Sequence, residues 1–387
     1  MAALDDLKAF EISQERGFLP AQDPALELPR GFAVWDEVAR DLPKLLLAGN
    51  LRRTLERLPV LPSEALPAGP VLRRAMLVLS YFGHGYVWGE TTPAAHVPAS
   101  VAVPWCAVAA RLGRPPVLSY ASYALDNWRL LDRTGALELG NLAIVQNFLG
   151  GADEDWFILI HVEIEARAAR VLERIGPVFA AAARGDAGAL AEHLQAVASG
   201  IESLCETLQR MPEHCDPYVY YHRVRPYIHG WKNHPLLPNG VVYEGVAALA
   251  GRPQLLRGET GAQSSIVPAL DGLLGVEHAD DPLRAYLLEM RDYMPPRQRA
   301  FVEAVEAAPS LRKAVLDCGS REAREAFNEC LRWLEAFRST HLDYAARYIH
   351  HQSQASPSNP NAVGTGGTPF MPYLRKHRDE TPKGRLT

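Results

Sequence analysis

The feature that most constrains the fold is a long amphipathic stretch, Ser320 to Ile349, that carries a histidine among its apolar residues. Steps of three and four along the chain from His341 reach Ala323, Phe327, Cys330, Leu331, Leu334, Phe337, Ala345 and Tyr348. This spacing is that of a helix face packed against a protein core. We therefore expect a helical core into which the His341 imidazole points.

The rest of the chain predicts an all-α protein. Thirty prolines and 29 glycines separate helical segments, and few runs alternate between apolar and polar residues as strands do. The expected helices cover residues 35–47, 70–90, 98–112, 119–131, 155–174, 187–212, 264–274, 282–292, 296–307 and 320–350.

Two domains are expected, with their junction at residues 148–152. Residues 1–150 would form a smaller, mainly helical N-terminal domain, and residues 151–387 a large helical domain. Gly176-Pro177 is expected to end the helix that begins near Asp155. The polar, Pro-rich segment 352–368 should break the last helix and form a mobile loop, and the basic tail 376–385 should be a solvated end.

Composition excludes several classes of protein. The 387 residues are 48% hydrophobic and 22% charged, with a formal net charge of −5 and no basic stripe, which argues against nucleic-acid binding. No apolar run reaches the roughly 20 residues that span a bilayer, and the N-terminus lacks the pattern of a signal peptide. We expect a cytoplasmic, monomeric protein. The five cysteines, widely spaced, indicate neither a disulfide framework nor a zinc knuckle.

A second histidine lies on an apolar helix face. His161 shares one face with Phe157, Ile160, Ile164 and Ala168. Two imidazoles from two helices could bind a metal, and without a Glu-x-x-His pair or a clear third ligand, haem is a better match than zinc or non-haem iron. For each histidine alone, a hydrogen-bonded core residue is the simpler interpretation, and that alternative stays open.

An aromatic-rich stretch, Tyr218 to Trp231, contains Arg223 and Arg225. A guanidinium among aromatic rings suits an aromatic ligand that carries a carboxylate, because it can form a two-pronged hydrogen-bonded pair with that group. A surface ion pair beside packed rings is the alternative interpretation.

Several longer motifs resemble those of the indoleamine 2,3-dioxygenase family of haem enzymes. They occur in family order and cover the chain from residue 80 almost to its end: Ser80-Tyr-Phe-Gly-His-Gly-Tyr-Val-Trp-Gly-Glu90, Pro115-Pro-Val-Leu-Ser-Tyr-Ala, Gly230-Trp-Lys, Val242-Tyr-Glu-Gly245, Gly261-Ala-Gln-Ser-Ser265, Asp292-Tyr-Met-Pro-Pro296, Arg338-Ser-Thr-His341 and Gly364-Thr-Gly-Gly-Thr368.

The resemblance implies a set of cofactor-binding residues. His341 would be the proximal ligand of haem b, with Arg338 near a haem propionate and Asp271 as the partner of Arg338. The turn Thr260-Gly261-Ala262 would lie against the haem edge, with Thr260 and Gly261 also contacting substrate. The N-terminal domain would cover the distal side of the haem.

The resemblance also implies substrate-binding residues. Arg225 would hold the substrate carboxylate, Thr368 would help to hold the amino-acid end, and Phe157 and Tyr120 would line the distal pocket. His161 aligns with a serine of the mammalian members and would accept a hydrogen bond from the indole N–H, as a histidine does in tryptophan 2,3-dioxygenases. Pro226 is expected to bias Arg225 away from helical geometry.

The expected activity is haem-dependent cleavage of the indole C2–C3 bond of L-tryptophan, or of a close indole analogue, by O2 to give N-formylkynurenine, with iron starting in the ferrous state. Two alternatives remain open at this point. One is a haem enzyme that rearranges or mono-oxygenates an indole in secondary metabolism. The other is an electron carrier or gas sensor in which both histidines ligate iron.

Overall fold

The computed structural model describes residues 4–355, 364–367 and 370–386. Helices dominate this part of the chain, which confirms the all-α prediction. They are α1 Ala33–Leu47, α2 Leu51–Glu56, α3 Pro70–Trp88, α4 Ala99–Leu112, α5 Ala152–Arg167, α6 Ala169–Arg184, α7 Ala187–Gln209, α8 Pro217–Val219, α9 Arg225–Ile228, α10 Ile266–Leu274, α11 Pro282–Met290, α12 Pro296–Glu306, α13 Leu311–Asp317, α14 Arg321–Ala345, α15 His351–Ala355 and α16 Phe370–Glu380. Three π-helical turns, Ala121–Leu125, Tyr220–Val224 and Ala346–His350, lie next to or between them.

Four short strands form two small sheets. β1 (His96–Val97) pairs in parallel with β4 (Val242–Tyr243). β2 (Trp128–Leu130) pairs antiparallel with β3 (Leu142–Ile144), with Trp128 opposite Ile144. In the described residues no helix combines the length and the apolar character that a membrane span requires.

The buried apolar side chains form two clusters. The first surrounds α3 and contains Trp105, Trp128 and Trp231. The second lies around α7 and α14, which pack along each other, and includes residues from the N-terminal segment such as Phe18. The division of the chain at residues 148–152 stays a prediction.

The amphipathic stripe on α14 is confirmed. Ser320 caps the helix by accepting a hydrogen bond from Ala323 N at 3.1 Å. Seven of the eight stripe residues named above are buried: Ala323, Phe327, Cys330, Leu331, Leu334, Ala345 and Tyr348. The hydrophobic spacing of this region therefore predicted both the helix and the face that it buries.

Two helix boundaries were predicted wrongly. Pro177 does not end a helix, because it lies inside α6, whose apolar face is buried against α7. That burial outweighs the hydrogen bond that a proline removes. Gly176 allows the N-terminal segment to pack closely on α6, since a Cβ there would lie 3.1 Å from Leu4 O. The predicted helix at 119–131 is instead a π-helical turn followed by β2, in which exposed Arg129 alternates with buried neighbours.

The C-terminal region was also predicted wrongly. Residues 351–355 are helical, so the polar segment does not break the helix at Gln352. The supposed solvated tail begins inside α16, which packs on α14, and Thr381 and Leu386 are buried. Leu386 N donates a hydrogen bond to Asn328 Oδ1 at 2.8 Å. The packing partners of this segment lie some fifty residues earlier in the chain, so its local polarity could not reveal its burial.

Candidate active site

His341 lies near the end of α14, on the wall of an interior cavity. The imidazole is exposed to solvent. Nevertheless, burial among protein atoms and, to a smaller extent, the nearby His161 together lower its pKa to about 4. A side chain that is accessible and yet surrounded by protein lines a recess rather than the outer surface. At neutral pH the imidazole is uncharged, which is the form that ligates a metal.

His161 on α5 lies within electrostatic reach of His341. Its Nδ1 is 2.7 Å from the carbonyl oxygen of Phe157, one turn earlier. A carbonyl only accepts, so Nδ1 must carry the proton and donate it. Burial lowers the pKa of His161, and the neutral ring therefore has an unprotonated Nε2, which can accept one hydrogen bond.

Aromatic rings surround His161. The ring of Phe157 lies 4.7 Å from the imidazole and 4.6 Å from the ring of Tyr220. Tyr120 meets His161 edge to face at 5.9 Å, and Tyr123 is 6.3 Å from Phe157. Aromatic walls of this kind suit a flat aromatic ligand. The structure thus brings together Tyr120, Phe157 and His161 from separate parts of the sequence.

Arg225 begins α9 and is fully buried. Its guanidinium lies over the ring of Tyr221, 5.3 Å from the ring centre. Burial lowers its pKa, and the neighbouring hydroxyl groups of Tyr220 and Tyr221 oppose that shift. The expected effect of Pro226 was wrong: Arg225 is helical, with φ −56° and ψ −36°. Pro226 takes one of the first helical positions, where a missing N–H costs little.

A buried histidine in the motif at residues 80–90 holds α9 in place. Leu118 N donates to His84 Nε2 at 2.9 Å, so Nδ1 donates to Tyr227 O at 2.8 Å. Burial lowers the pKa of His84 to about 4, which keeps the ring neutral and both bonds intact. His84 therefore links α3, the segment before Tyr120 and the helix that carries Arg225.

The turn at residues 260–262 is built by hydrogen bonds around the next residue, Gln263. Thr260 caps a single 3₁₀ turn, Gly261–Gln263. The Gln263 side chain accepts from Tyr120 N at 2.9 Å and donates to Gly258 O at 2.9 Å. The turn is thus attached to the segment that carries Tyr120. Gly261 is exposed and Ala262 half-buried.

Arg338 lies one turn before His341 and is buried. It donates to both carboxylate oxygens of Asp271, at 2.8 and 2.7 Å, and to Thr381 Oγ1 at 2.5 Å. Burial alone would raise the pKa of Asp271, but Arg338 and His278 hold it below its usual range. The predicted Arg338–Asp271 pair is therefore present, and α16 helps to hold it.

The glycine-rich segment lies against this site through residues 364–367. Gly230 N donates to Thr365 O at 3.3 Å, and Arg257 Nη1 donates to Gly366 O at 2.5 Å. A Cβ on Gly366 would lie 2.5 Å from the hydroxyl of Tyr286, so the close approach requires glycine. Thr368 and most of the predicted loop 352–368, residues 356–363, lie outside the described residues.

The sequence analysis missed two buried carboxyl groups. Glu165 on α5 accepts a hydrogen bond from Ser264 Oγ at 2.6 Å, and burial raises its pKa to about 7. Glu259, directly before the turn at 260–262, is 4% exposed. Nothing in the spacing around Glu259 predicted its burial, because it lies in a loop.

Comparison with known proteins agrees with this geometry. The family model described as indoleamine 2,3-dioxygenase matches residues 6–384. The chain is 37% identical to indoleamine 2,3-dioxygenase 1 of Rattus norvegicus, over 98% of this chain and 96% of that protein. It is 35% identical to indoleamine 2,3-dioxygenase 2 of Homo sapiens, over 97% and 94%. It is 33% identical to the indoleamine 2,3-dioxygenase of Saccharomyces cerevisiae, over 98% and 94%. With this coverage and identity, the chain belongs to the indoleamine 2,3-dioxygenase family of haem-dependent oxidoreductases that act on indoles.

Proposed function

We propose that this enzyme binds haem b through His341 and cleaves the C2–C3 bond of L-tryptophan with O2 to give N-formylkynurenine. The observation that carries the proposal is the pair of neutral imidazoles, His341 and His161, within electrostatic reach of each other beside the rings of Phe157 and Tyr120. Buried Arg225 lies next to this group, over the ring of Tyr221. The finer assignment of substrate and product goes beyond family membership.

The residues of the cavity fit a haem group. His341 presents a neutral, accessible imidazole, and the stripe that supports it is buried. Arg338, already paired with Asp271, supplies positive charge one turn away for a propionate. The turn at 260–262 offers a small-residue edge. When bound, haem would supply the redox-active iron for the reaction of O2 with the indole.

The protein's own contribution is to bind and orient the substrate. Arg225, held rigidly by its burial and by Tyr221, would pair with the carboxylate. Phe157 and Tyr120 would pack on the indole. The Nε2 atom of His161 would accept a hydrogen bond from the indole N–H and so set the position of C2 and C3. The docked segment 364–367 would exclude water from the closed site.

Turnover of the purified, haem-loaded and ascorbate-reduced enzyme with L-tryptophan tests the proposal. The expected result is stoichiometric consumption of O2 and a formylated aniline product that absorbs in the near ultraviolet. A mono-oxygenated or rearranged indole as the product would contradict the proposed cleavage and support the alternative reaction. A low-spin ferrous spectrum with poor binding of carbon monoxide would indicate that both histidines ligate iron, and would contradict the proposal.

A further inference from the structure

Glu259 is a buried carboxyl group without a partner in the described part of the chain. It is 4% exposed, and none of the hydrogen bonds or ion pairs among the described residues involves its carboxyl oxygens. Burial alone raises its pKa to about 8, with no neighbouring cation to oppose the shift. An unpaired buried acid is costly, and it stays protonated at neutral pH because the charged form is poorly solvated. No contact among the described residues therefore accounts for this buried carboxyl group.

Two glycines fix the position of Glu259. The chain segments that contain Gly230 and Gly258 cross so closely that a Cβ on Gly230 would lie 2.1 Å from Gly258 N. Directly beyond the crossing, Glu259 N donates to Ile228 O at 3.1 Å. Ile228 ends α9, and Arg225 begins it. Glu259 is thus held beside the short helix that carries the buried arginine.

The carboxyl group lies within electrostatic reach of the aromatic rings around Phe157. Its charge contributes to raising the pKa of Tyr120, Tyr123 and Tyr220, which come from two different segments around Phe157. The hydroxyl of Tyr220 is influenced by Glu259 in one direction and by Arg225 in the other. Arg225, however, does not influence the pKa of Glu259. Glu259 and Arg225 therefore both lie within electrostatic reach of the Tyr220 hydroxyl.

We propose that Glu259 binds the ammonium group of an α-amino acid whose carboxylate is held by Arg225. The inference rests on the proposed function and adds to it a residue that selects for amino acids. A zwitterionic ligand carries both charges on one carbon, so a pocket with a buried arginine alone would attract its carboxylate and repel its ammonium group. A carboxylate beside the ammonium group removes that repulsion.

Binding would change the protonation of Glu259. In the free enzyme at pH 7 the group carries a proton; beside an ammonium group the charged form is favoured, and the proton is released to solvent. The cation already holds three protons and gives up none. The phenols of Tyr81, Tyr120, Tyr123 and Tyr220 all have raised pKa values and do not ionise near pH 7. Arg225 remains charged. Burial also raises the pKa of Glu165 and of Glu154 to about 7, so the Glu259→Gln variant is needed to assign the released proton to Glu259.

Calorimetric titration of the haem-loaded enzyme with three ligands tests the inference. L-Tryptophan has both charged groups, indole-3-propionate lacks the ammonium group, and tryptamine lacks the carboxylate. Glu259→Gln should weaken binding of tryptophan and tryptamine by roughly 10- to 100-fold, as expected when a charge-assisted hydrogen bond is lost. It should leave indole-3-propionate unchanged. Titrations in two buffers of different ionisation enthalpy should show proton release with tryptophan in the wild type and none in the variant.

Glu165→Gln is the matched control, because it makes the same chemical change in another buried glutamate of this region whose carboxyl is already bonded to Ser264. It should alter the three affinities by a common factor. If Glu259→Gln also weakens the binding of all three ligands by the same factor, the inference fails. Binding of indoles by the wild type would in that case still support the proposed function. Loss of haem from Glu259→Gln would assign the carboxyl to the cofactor and overturn the inference. If the wild type binds no indole at all, the proposed function itself fails.

Discussion

The sharpest prediction concerns replacement of His161 by serine. In the wild type, donation of the Nδ1 proton to Phe157 O at 2.7 Å leaves Nε2 as the acceptor, and burial keeps the ring neutral. A serine hydroxyl is too short to reach the same position. The indole N–H would then lose a hydrogen bond between neutral groups, which is worth about 0.5–1.5 kcal/mol net. That free energy corresponds to a roughly 2- to 13-fold fall in kcat/KM.

The assay compares L-tryptophan with 1-methyl-L-tryptophan, which has no N–H to donate. Wild-type enzyme should prefer tryptophan, and His161→Ser should reduce that preference by the factor above, because it loses activity mainly with tryptophan. Tyr123→Phe is the control: it removes a hydroxyl from the same aromatic wall, 6.3 Å from Phe157, and should leave the ratio of the two kcat/KM values unchanged.

An identical preference in wild type and His161→Ser would refute the role of Nε2 as the acceptor. A different failure is visible in the haem spectrum. If the substitution converts a low-spin, six-coordinate iron into a five-coordinate one, then His161 is an iron ligand in the wild type. In that case the geometry of the two imidazoles serves electron transfer or gas sensing, and the proposed catalytic arrangement is wrong.

Four further predictions follow from the same geometry. His341→Ala should give a folded protein that retains little haem, and an unchanged haem spectrum would show that another residue holds the iron. Arg225→Leu should lower kcat/KM for tryptophan, which corresponds to a loss of a few kcal/mol of transition-state stabilisation, and should barely affect kcat/KM for indole without a carboxylate. Equal losses with the two substrates would contradict the role of Arg225. Amide hydrogen exchange across residues 364–367 should slow when substrate binds, and no change would exclude gating by this segment. Glu259→Gln should raise the melting temperature more at pH 8 than at pH 5: the folded pKa of about 8 exceeds the unfolded value, so the wild-type acid destabilises the fold increasingly as pH rises between those values.

The sequence predicted those parts of the structure whose signals are periodic. The apolar stripe on α14 recurs every three or four residues, and it located the helix, its buried face and His341 together. His161 on α5 was found in the same way. In both cases the helix repeat converts sequence spacing into a direction in space, so a polar residue on the apolar face can be recognised without knowledge of its neighbours.

Local rules failed where tertiary contacts opposed them. Proline disfavours a continuing helix, yet Pro177 lies within α6 and Pro226 follows a helical Arg225. In the first case a buried helix face compensates for the lost hydrogen bond, and in the second the helix is only beginning. The same limit applies to α16 and the turn after it, whose polar sequence gave no indication that α16 packs on α14 or that Thr381 supports Arg338.

Glu259 marks the limit of prediction from sequence. It belongs to a loop, where no repeat relates sequence position to direction, and its burial results from the crossing of Gly230 and Gly258. Twenty-seven residues separate those two glycines, so only the folded chain reveals that the glutamate between Gly258 and Thr260 lies beside the helix that Arg225 begins. His341 could be singled out because it lies on a long amphipathic helix, whereas Arg338, Asp271 and Ala262 were assigned to the haem only by resemblance to the family. The residue that we expect to distinguish an amino acid from other indoles could not be predicted, because its position depends on two loops that meet only in the folded protein.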